Sequence, residues 1–410
     1  MQTLMRARWL APLLAAAAAL TSCASDEQPT QSFSTLEGAL SASVPQPYIV
    51  QFAAGLDVDA TAKELAGTFG LAVRHRYHHA LRGAAVQVPA PILAKLAADP
   101  RVAQIDYDFD VYAIGKPGPA PTPVQTVPIG YTYIGAGETA NEGAGGYVAV
   151  LDTGIDLDHP DLAANLDAGA ALLKDCVGEN TTAGNDLDGH GSHVAGTIAA
   201  VDNSIGSLGI GTALKVVPVK VLNRNGKGSW STIVCGIDHV TAHAGVLRVA
   251  NLSLGGPGSY CAPDAGCTPS ALQVAIENSV KAGVTYAVAA GNEGALATTS
   301  VPAAYPAVIA VSAYDTKTAT FPAWSNYGPR VDLAAPGVGI FSTSKNAGYA
   351  TFSGTSMAAP HVAAAAALYL VGHPAASPAE VREGLLQLAL PSYPGQNSQH
   401  AEPILQVREL

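Results

Sequence analysis

Short, predominantly apolar runs are the feature that most constrains the fold of this chain. They occur at Tyr147–Leu151, Val216–Leu222, Val249–Leu254, Val284–Ala290 and Val308–Ala313. None of these runs alternates polar and apolar residues, which favours strands that are covered on both faces, as in a parallel sheet. Segments with helical character lie between them, at His190–Val201, Ser231–Ala244 and Pro269–Ala282. This alternation predicts an α/β domain whose ligands bind at the carboxyl ends of the strands.

A different pattern precedes this domain. Strand-like and helix-like segments follow one another as β-α-β-β-α-β, at Tyr48–Phe52, Val58–Phe69, Ala72–Tyr77, Ala84–Val88, Pro91–Ala98 and Val102–Tyr107. This order predicts a small ferredoxin-like α+β domain over residues 47–113. The segment Gly115–Pro123 carries four prolines and two glycines, so we expect a linker at residues 114–123 and the larger domain at 124–410.

The first residues have the features of an export signal. Arg6 and Arg8 precede an apolar stretch from Trp9 to Leu20, which is followed by small residues. Residues 1–24 are therefore interpreted as a signal peptide, and the Ser/Thr/Gln/Pro-rich residues 25–46 as a flexible leader. The Leu20–Cys23 segment resembles the lipobox of bacterial lipoproteins, in which the cysteine is acylated. Lipid anchoring at Cys23 and ordinary cleavage near Ala24 both remain open, and either one predicts a secreted protein.

Composition and cysteine content exclude several classes of protein. The formal charge of −11 argues against nucleic-acid binding, and 48% hydrophobic against 13% charged residues argues against disorder. Besides Cys23 there are four cysteines, Cys176, Cys235, Cys261 and Cys267, and four cysteines allow three disulfide pairings. Cys261 and Cys267 flank a Pro- and Gly-containing loop, which favours their pairing and leaves Cys176 with Cys235. We expect a monomer.

Four polar residues fall at the ends of predicted strands and helices. Asp152 ends the first apolar run, where a carboxylate can hold an imidazole, and His190 opens a helix after an acidic loop. Ser356 lies at the start of an apolar helix, where unpaired N–H groups can stabilise an oxyanion. Asn292 follows another apolar run and can donate a second hydrogen bond. Each residue alone has a structural explanation, such as helix capping for Ser356; their occurrence together, in the order Asp, His, Ser, favours nucleophilic catalysis.

The motifs around these residues resemble those of subtilisin-like serine proteases (subtilases), with the strongest similarity to the proteinase K branch. The motifs are Val150–Gly154, Gly189–Thr197, Asn251–Gly256, Ala289–Asn292 and Gly354–His361. Residues 47–113 resemble the inhibitor prodomain of such proteases. The resemblance implies a mostly parallel sheet with helices on both faces, and a secreted serine endopeptidase that cleaves protein and peptide substrates without a catalytic cofactor.

The resemblance also assigns roles to residues. It implies a triad of Asp152, His190 and Ser356, with Asn292 and the Ser356 N–H as the oxyanion hole. A substrate would add as a strand beside Ser253, Leu254 and Gly255, and its side chain would enter a pocket lined by Ala289 and Gly291. Small wall residues favour broad specificity for apolar or aromatic side chains. The prodomain would act as an intramolecular inhibitor until self-cleavage within or near Val111–Pro123.

The family further implies a structural calcium ion held by backbone oxygens and a carboxylate. By position, the carbonyls of Pro306 and Val308 and the carboxylate of Asp332 match one such site.

Two competing functions remain open. A subtilase fold that has lost catalysis could serve as an extracellular binding protein, although all four catalytic groups are retained. An α/β-hydrolase esterase built on Ser356 would need an acid and a histidine after the nucleophile, and no Asp follows Ser356, although Glu and His residues do.

Overall fold

The computed structural model describes residues 45–113, 116–117, 125–179 and 182–410. Residues 46–107 form an N-terminal module with the elements β1 (Gln46–Phe52), α1 (Val58–Phe69), β2 (Ala72–Tyr77), β3 (Gly83–Val88), α2 (Ala90–Ala97) and β4 (Val102–Tyr107). Its antiparallel sheet has the order β2-β3-β1-β4, which is the predicted ferredoxin-like arrangement. Helix α1 begins where Asp57 accepts a hydrogen bond from Ala60 N and ends at Gly70, whose φ of 67° is left-handed.

The main domain follows from residue 125. Its elements up to the middle of the sheet are α3 (Ile129–Tyr133), β7 (Tyr147–Asp152), β8 (Lys174–Asp175), α4 (His190–Ala199), β9 (Lys215–Lys220), β10 (Lys227–Ser229), α5 (Trp230–Ala242), β11 (Val249–Leu252) and β12 (Leu254–Pro257). The remaining elements are α6 (Ala271–Lys281), β13 (Thr285–Ala289), β14 (Ser300–Val301), β15 (Ile309–Tyr314), β16 (Leu333–Pro336), β17 (Ile340–Ser344), β18 (Gly348–Ser353), α7 (Thr355–Gly372) and α8 (Pro378–Leu388). Between the two parts lie the short strands β5 (Asp110–Ala113) and β6 (Lys116–Pro117).

A seven-stranded parallel sheet forms the centre of the main domain, in the order β16-β15-β13-β11-β7-β9-β8. Each of the five predicted apolar runs contributes one strand to this sheet. Val249–Leu254 contributes only its first part, because the chain leaves the sheet at Ser253 and starts β12. The short outer strands β8 and β16 did not stand out in the sequence.

Both faces of the sheet are covered, as the absence of alternation predicted. In β7, Val148 and Val150 pack into one hydrophobic cluster with α4 and α7, whereas Ala149 and Leu151 pack into a second cluster with α5 and α6. Because both faces are apolar, the polar groups needed for function must lie at the strand ends.

The order of the strands determines where a ligand can bind. From β7 the chain passes to β8 and β9 on one side and then returns to β11 on the other side of β7. This reversal opens a crevice at the carboxyl ends of β7 and β11, the usual binding site of an open α/β sheet. Asp152 is the last residue of β7, and Ser253 follows β11 directly.

Helix α7 occupies the middle of one face. By length and composition it is the one helix among the described residues that could cross a membrane, but 83% of it is buried inside the protein. Its run of alanines allows close contact with the sheet and with α4. We therefore interpret α7 as a core helix.

Two disulfides, Cys176–Cys235 and Cys261–Cys267, join the pairs that the loop argument favoured. The first connects the segment after β8 to α5, and the second closes the loop between β12 and α6.

Candidate active site

Asp152 and His190 form a buried pair at the crevice. Asp152 Oδ1 lies 2.8 Å from His190 Nδ1 and also accepts the N–H of Thr153 at 2.7 Å. Asp152 is fully buried and His190 is 4% exposed. An ionised carboxylate can only accept, so Nδ1 carries the proton and the lone pair is left on Nε2. The pair therefore presents an imidazole that can act as a base.

Asp186, which the sequence analysis did not single out, holds the segment that carries Asp152 against the segment that carries His190. Its Oδ1 accepts the hydroxyl of Thr153, and its Oδ2 accepts the N–H and hydroxyl of Ser192 at 2.9 and 2.6 Å. Thr153 follows Asp152, and Ser192 lies in the first turn of α4 after His190. A buried carboxylate with several hydrogen bonds thus connects the end of β7 to the start of α4. Its sequence signal is an aspartate just before the helix, which also describes an ordinary capping residue.

Ser356 is anchored to the residue that follows β11. Its hydroxyl donates to Ser253 O at 3.1 Å, and the Ser253 hydroxyl donates to Ser356 O at 2.8 Å. The second bond exists because Pro360, four residues further along α7, has no N–H to pair with Ser356 O. Because of Pro360, the Ser356 carbonyl has no partner within the helix, and its hydrogen bond with the Ser253 hydroxyl fixes the position of Ser356.

Asn292 is oriented by the residue before Ser356. Its Oδ1 accepts both the N–H and the hydroxyl of Thr355, each at 2.9 Å. These two donors determine which end of the amide is oxygen, so Nδ2 is turned away from Thr355 and donates to none of the described residues. The Ser356 N–H is among the first N–H groups of α7, which have no partner within the helix. Two donors are thus available near the start of α7, one on Ser356 itself and one on the residue that Thr355 orients.

Packing brings the starts of α4 and α7 together. The ring of His193, one turn after His190, stacks on Phe352, just before Ser356, with centroids 4.3 Å apart and planes 6° apart. His193 Nε2 lies 3.0 Å from Ile340 O, and burial lowers the pKa of His193 to about 3. His193 is therefore a neutral core histidine, and it aligns the two helix starts that carry His190 and Ser356.

A strand already lies in the crevice, and it comes from this same chain. Strand β5 is antiparallel to β12 on one side and to β10 on the other, with Tyr112 opposite Gly255 and Ala113 opposite Leu254. After residues 114 and 115, which lie outside the described residues, β6 pairs with β18 and places Lys116 opposite Ser353. Ser353 is three residues before Ser356. The chain thus pairs with the crevice on both sides of the serine, which is β-strand addition.

The predicted pocket residues are buried beside Asn292. Ala289 ends β13 and is 1% exposed. Gly291 has a φ of 107°, and a Cβ there would lie 2.2 Å from Asn326 Nδ2 and 2.5 Å from Glu293 Oε2, so only glycine fits. An acidic side chain borders this wall of the predicted pocket. Glu293 lies next to it, with Oε2 accepting from Asn326 at 2.7 Å.

The residues predicted to hold calcium do not fit a free ion. Val308 O accepts Arg330 Nη2 at 2.6 Å, and Asp332 Oδ2 accepts Arg330 Nη1 at 2.8 Å. The guanidinium group already occupies the place that a cation would take beside these two oxygens, and the carbonyl of Pro306 accepts no hydrogen bond from the described residues. Among the described residues, no group of three or more His, Cys, Asp or Glu side chains could hold a metal.

A parallel sheet with a carboxylate–imidazole pair and a helix-start serine at its crevice is the architecture of a subtilisin-like serine endopeptidase. Comparison with known protein families leads to the same class, because the model of the subtilase family (Peptidase S8) matches residues 143–403 of this chain. The chain belongs to the subtilase family. It is a serine endopeptidase that acts on proteins or peptides and needs no cofactor for catalysis.

Individual relatives cover both the N-terminal module and the main domain. The extracellular serine proteinase of Thermus sp. (strain Rt41A) is 38% identical over 366 residues, which is 87% of this chain and 81% of the relative. Subtilisin NAT of Bacillus subtilis subsp. natto is 35% identical over 389 residues, 92% of this chain and 94% of the relative. A crystal structure of a cold adapted subtilisin-like serine proteinase has 34% identity and a TM-score of 0.58, covering 66% of this chain and 91% of that one. The subtilisin-like fold predicted from the sequence is confirmed; the proteinase K branch stays a prediction.

Proposed function

We propose that Ser356 is the nucleophile and that Asp152 and His190 activate it. The Ser356 hydroxyl turns from Ser253 O to His190 Nε2 by rotation about one side-chain bond, gives up its proton and attacks the scissile carbonyl. His190 then donates that proton to the leaving amine, while Asp152 holds the imidazole in one tautomer and stabilises its charged form. The 2.8 Å bond between Asp152 and His190 supports these roles.

We assign the oxyanion hole to Asn292 Nδ2 and the backbone N–H of Ser356. Thr355 holds the Asn292 amide from its oxygen end, so the donor needs no reorganisation when charge develops on the substrate oxygen. In subtilisin the loss of such an asparagine costs about 10²–10³ in kcat, and we carry that value over to Asn292.

We assign the N-terminal module, together with β5, as an inhibitory prodomain. Its loop residues His78, His79 and Ala80 donate backbone N–H groups to the Asp238 carboxylate on α5. The Tyr77 hydroxyl donates to Ser231 O at 3.0 Å. Apolar residues of the module share one hydrophobic cluster with α5 and α6. These contacts support a module that docks specifically on the two helices next to the crevice.

Two carboxylates of the segment that leads into β5 strengthen this docking. Asp106 Oδ2 accepts the N–H of Ala271, the first residue of α6, at 2.9 Å, and Asp108 Oδ1 accepts the N–H of Ser231 in the first turn of α5 at 2.7 Å. Both acids therefore cap helices of the main domain, where the helix dipole favours negative charge. They set the path of the chain immediately before it enters the crevice.

We propose that the chain cuts itself between Ala113 and Lys116. This narrows the predicted region of Val111–Pro123, most of which lies outside the described residues. The pairing of Ala113 with Leu254 and of Lys116 with Ser353, on either side of Ser356, is the observation that carries the proposal. The test is the mass of the released prodomain, whose C-terminus records the first cut even if the enzyme is trimmed later. A prodomain ending beyond Lys116 contradicts it.

The preference for apolar or aromatic side chains remains part of the proposal. Val111 is fully buried, and its side chain lies close to the position a Cβ on Gly256 would take, as does the ring of Trp230. This apolar site holds a side chain of the strand in the crevice, and the small Ala289 and Gly291 leave room for another. Hydrolysis of a panel of peptides that differ only before the cleaved bond measures the preference; faster cleavage after Lys or Arg contradicts it.

We further propose that the enzyme is secreted. The export signal, the leader and Cys23 lie outside the described residues, and the support is the sequence pattern together with the Thermus relative that is named extracellular. Intact mass of the exported protein distinguishes lipid anchoring at Cys23 from cleavage near Ala24. Calcium at Pro306, Val308 and Asp332 is no part of the proposal.

One assay separates the proposed function from its alternatives. Purified protein is incubated with casein, with and without a serine-directed phosphonate. Casein cleavage that the reagent abolishes supports the protease, ester turnover alone would indicate an esterase, and no turnover would indicate a binding protein. The Asp152→Asn variant is the matched control, because it keeps the shape of the side chain but favours the wrong imidazole tautomer.

A further inference from the structure

A guanidinium group occupies a site built from backbone carbonyls and a carboxylate at the edge of the sheet opposite the crevice. Arg330 Nη2 donates to Val308 O at 2.6 Å and also to Tyr305 O, and Nη1 donates to Asp332 Oδ2 at 2.8 Å. Val308 and Asp332 come just before β15 and β16, at their amino ends. Arg330 is 11% and Asp332 is 3% exposed at the side chain. The arginine is therefore an interior group with three protein oxygens around its two terminal nitrogens.

The charge of this cluster opposes a second cation. Among the described residues, Asp332 is the only acid paired with Arg330, and Oδ1 of the same carboxylate is paired with Arg382. Two guanidinium groups and one carboxylate have a formal charge of +1, and a calcium ion would raise it to +3. A calcium ion also needs its oxygen ligands at about 2.3–2.6 Å. Arg330 Nη2 already lies 2.6 Å from Val308 O and so occupies that position. Calcium can enter only if the guanidinium leaves, which would strand a largely buried charge.

The same oxygens would suit a cation if the arginine were absent. Two carbonyls and one carboxylate are oxygen ligands of the kind calcium prefers. Without Arg330, the remaining Asp332 and Arg382 would be neutral overall, and the carbonyls of Tyr305 and Val308 would lose their donor. A site with a single shared carboxylate would be weak, with a dissociation constant on the order of 1 mM.

We propose that Arg330 is the resident cation of this site, so that a side chain of the protein takes the structural place of a bound ion. The site is closed to calcium in the native chain and opens only when the guanidinium is removed. This inference does not depend on the catalytic mechanism, because the cluster lies away from the crevice.

The test compares variants in a Ser356→Ala background, which removes autolysis from every protein. The calcium response is defined as the melting temperature in 10 mM CaCl₂ minus that in EDTA, and any calcium site elsewhere adds equally to all variants. In EDTA, Arg330→Met should melt roughly 5–10 °C below the parent, because carbonyls and a carboxylate lose their partner. Its calcium response should exceed that of the parent by about 2–4 °C, as expected for 10 mM ligand at a 1 mM site. MgCl₂ should not replace CaCl₂.

Two further variants are matched controls. Arg330→Lys keeps a positive charge, so it should lose less stability and gain no extra calcium response. Arg248 also donates to two backbone carbonyls, those of Pro374 and Ala376, and has no carboxylate partner in the described part of the chain. Arg248→Met should therefore lose stability without gaining a calcium response. If Arg248→Met responds as Arg330→Met does, the effect is not specific to this site and the proposal fails.

The proposal is overturned if Arg330→Met is as stable as the parent in EDTA, or if the two have equal calcium responses. Should Arg330→Met not fold in EDTA, crystals of the Ser356→Ala protein soaked in terbium chloride give an independent answer. Anomalous density between Val308 O and Asp332 would refute the proposal. Density for the guanidinium on both groups, without a terbium peak, would support it.

Discussion

Replacing Thr355 by valine tests whether the orientation of Asn292 sets the rate of the enzyme. The Thr355 hydroxyl donates to Asn292 Oδ1 at 2.9 Å and accepts the N–H of Gly291 at 3.1 Å. Valine has nearly the same shape but neither function, and the backbone N–H of residue 355 keeps its own 2.9 Å bond to Asn292. The substitution therefore removes one of the two bonds that orient the amide and leaves the catalytic groups in place.

The expected size of the effect follows from these bonds. A hydrogen bond of this kind is worth about 1 kcal/mol net, so a less well oriented donor should lower kcat about fivefold. KM should change little, because the amide acts on charge that develops only in the transition state. The N–H of Gly291 loses its acceptor in a buried position, which should reduce the free energy of unfolding by about 1–3 kcal/mol.

The assay is steady-state hydrolysis of a chromogenic peptide by Thr355→Val, Asn292→Ala and the double variant. Thr355→Ser, which keeps the hydroxyl, is the control and should be close to the parent enzyme. If Thr355 acts through Asn292, valine should have no further effect on kcat once the asparagine is gone. A full fivefold loss in the Asn292→Ala background would refute this, as would an effect confined to KM.

Three other predictions follow from the same contacts. Ser356→Ala should accumulate as a full-length precursor on gels and in intact mass spectra, and a normally processed variant would contradict self-cleavage. Asp238→Ala removes the acceptor of three module N–H groups, so active enzyme should appear sooner after expression, with mature kcat unchanged; an unaltered lag would argue against docking through Asp238. Burial lowers the pKa of His193 to about 3 and of His361 to about 4, so the unfolded chain binds more protons below pH 6.5. Stability should be full above that pH and fall by about 1.4 kcal/mol per pH unit for each histidine towards pH 4. In urea unfolding of phosphonate-inactivated His361→Gln, the slope of the free energy of unfolding against pH should be smaller by the equivalent of one proton. An unchanged slope would contradict the prediction.

Local patterns were enough to predict many of the helices and strands. The bounds of Val58–Phe69, Ala72–Tyr77 and Val102–Tyr107 agree with the structure, because helical spacing and capping residues act within a few positions along the chain. The prediction of a single strand over Val249–Leu254 was wrong. The chain leaves the sheet at Ser253, which forms hydrogen bonds with Ser356, a residue far away in sequence.

The site was predictable where a residue's own chemistry marks it. Asp152, His190, Asn292 and Ser356 are reactive or donating groups at the ends of apolar runs, and their roles remain predictions that the variants above test. The residues that hold these groups in position were not predictable. In the sequence, Asp186 looks like a capping residue and Thr355 like an ordinary residue of a helix start. Their function depends on what they touch.

The amino-acid sequence by itself determined the parallel sheet, the ferredoxin-like module and the family, because hydrophobic periodicity and short motifs are properties of neighbouring residues. Only the tertiary structure decided that β5 lies between β10 and β12, and that Arg330 binds two of the three groups where calcium was expected, Val308 O and the Asp332 carboxylate. Both depend on atoms that are distant along the chain and meet through packing. Arg330 is two residues before Asp332 in the sequence, yet only the approach of Tyr305 and Val308 turns that spacing into a cation site.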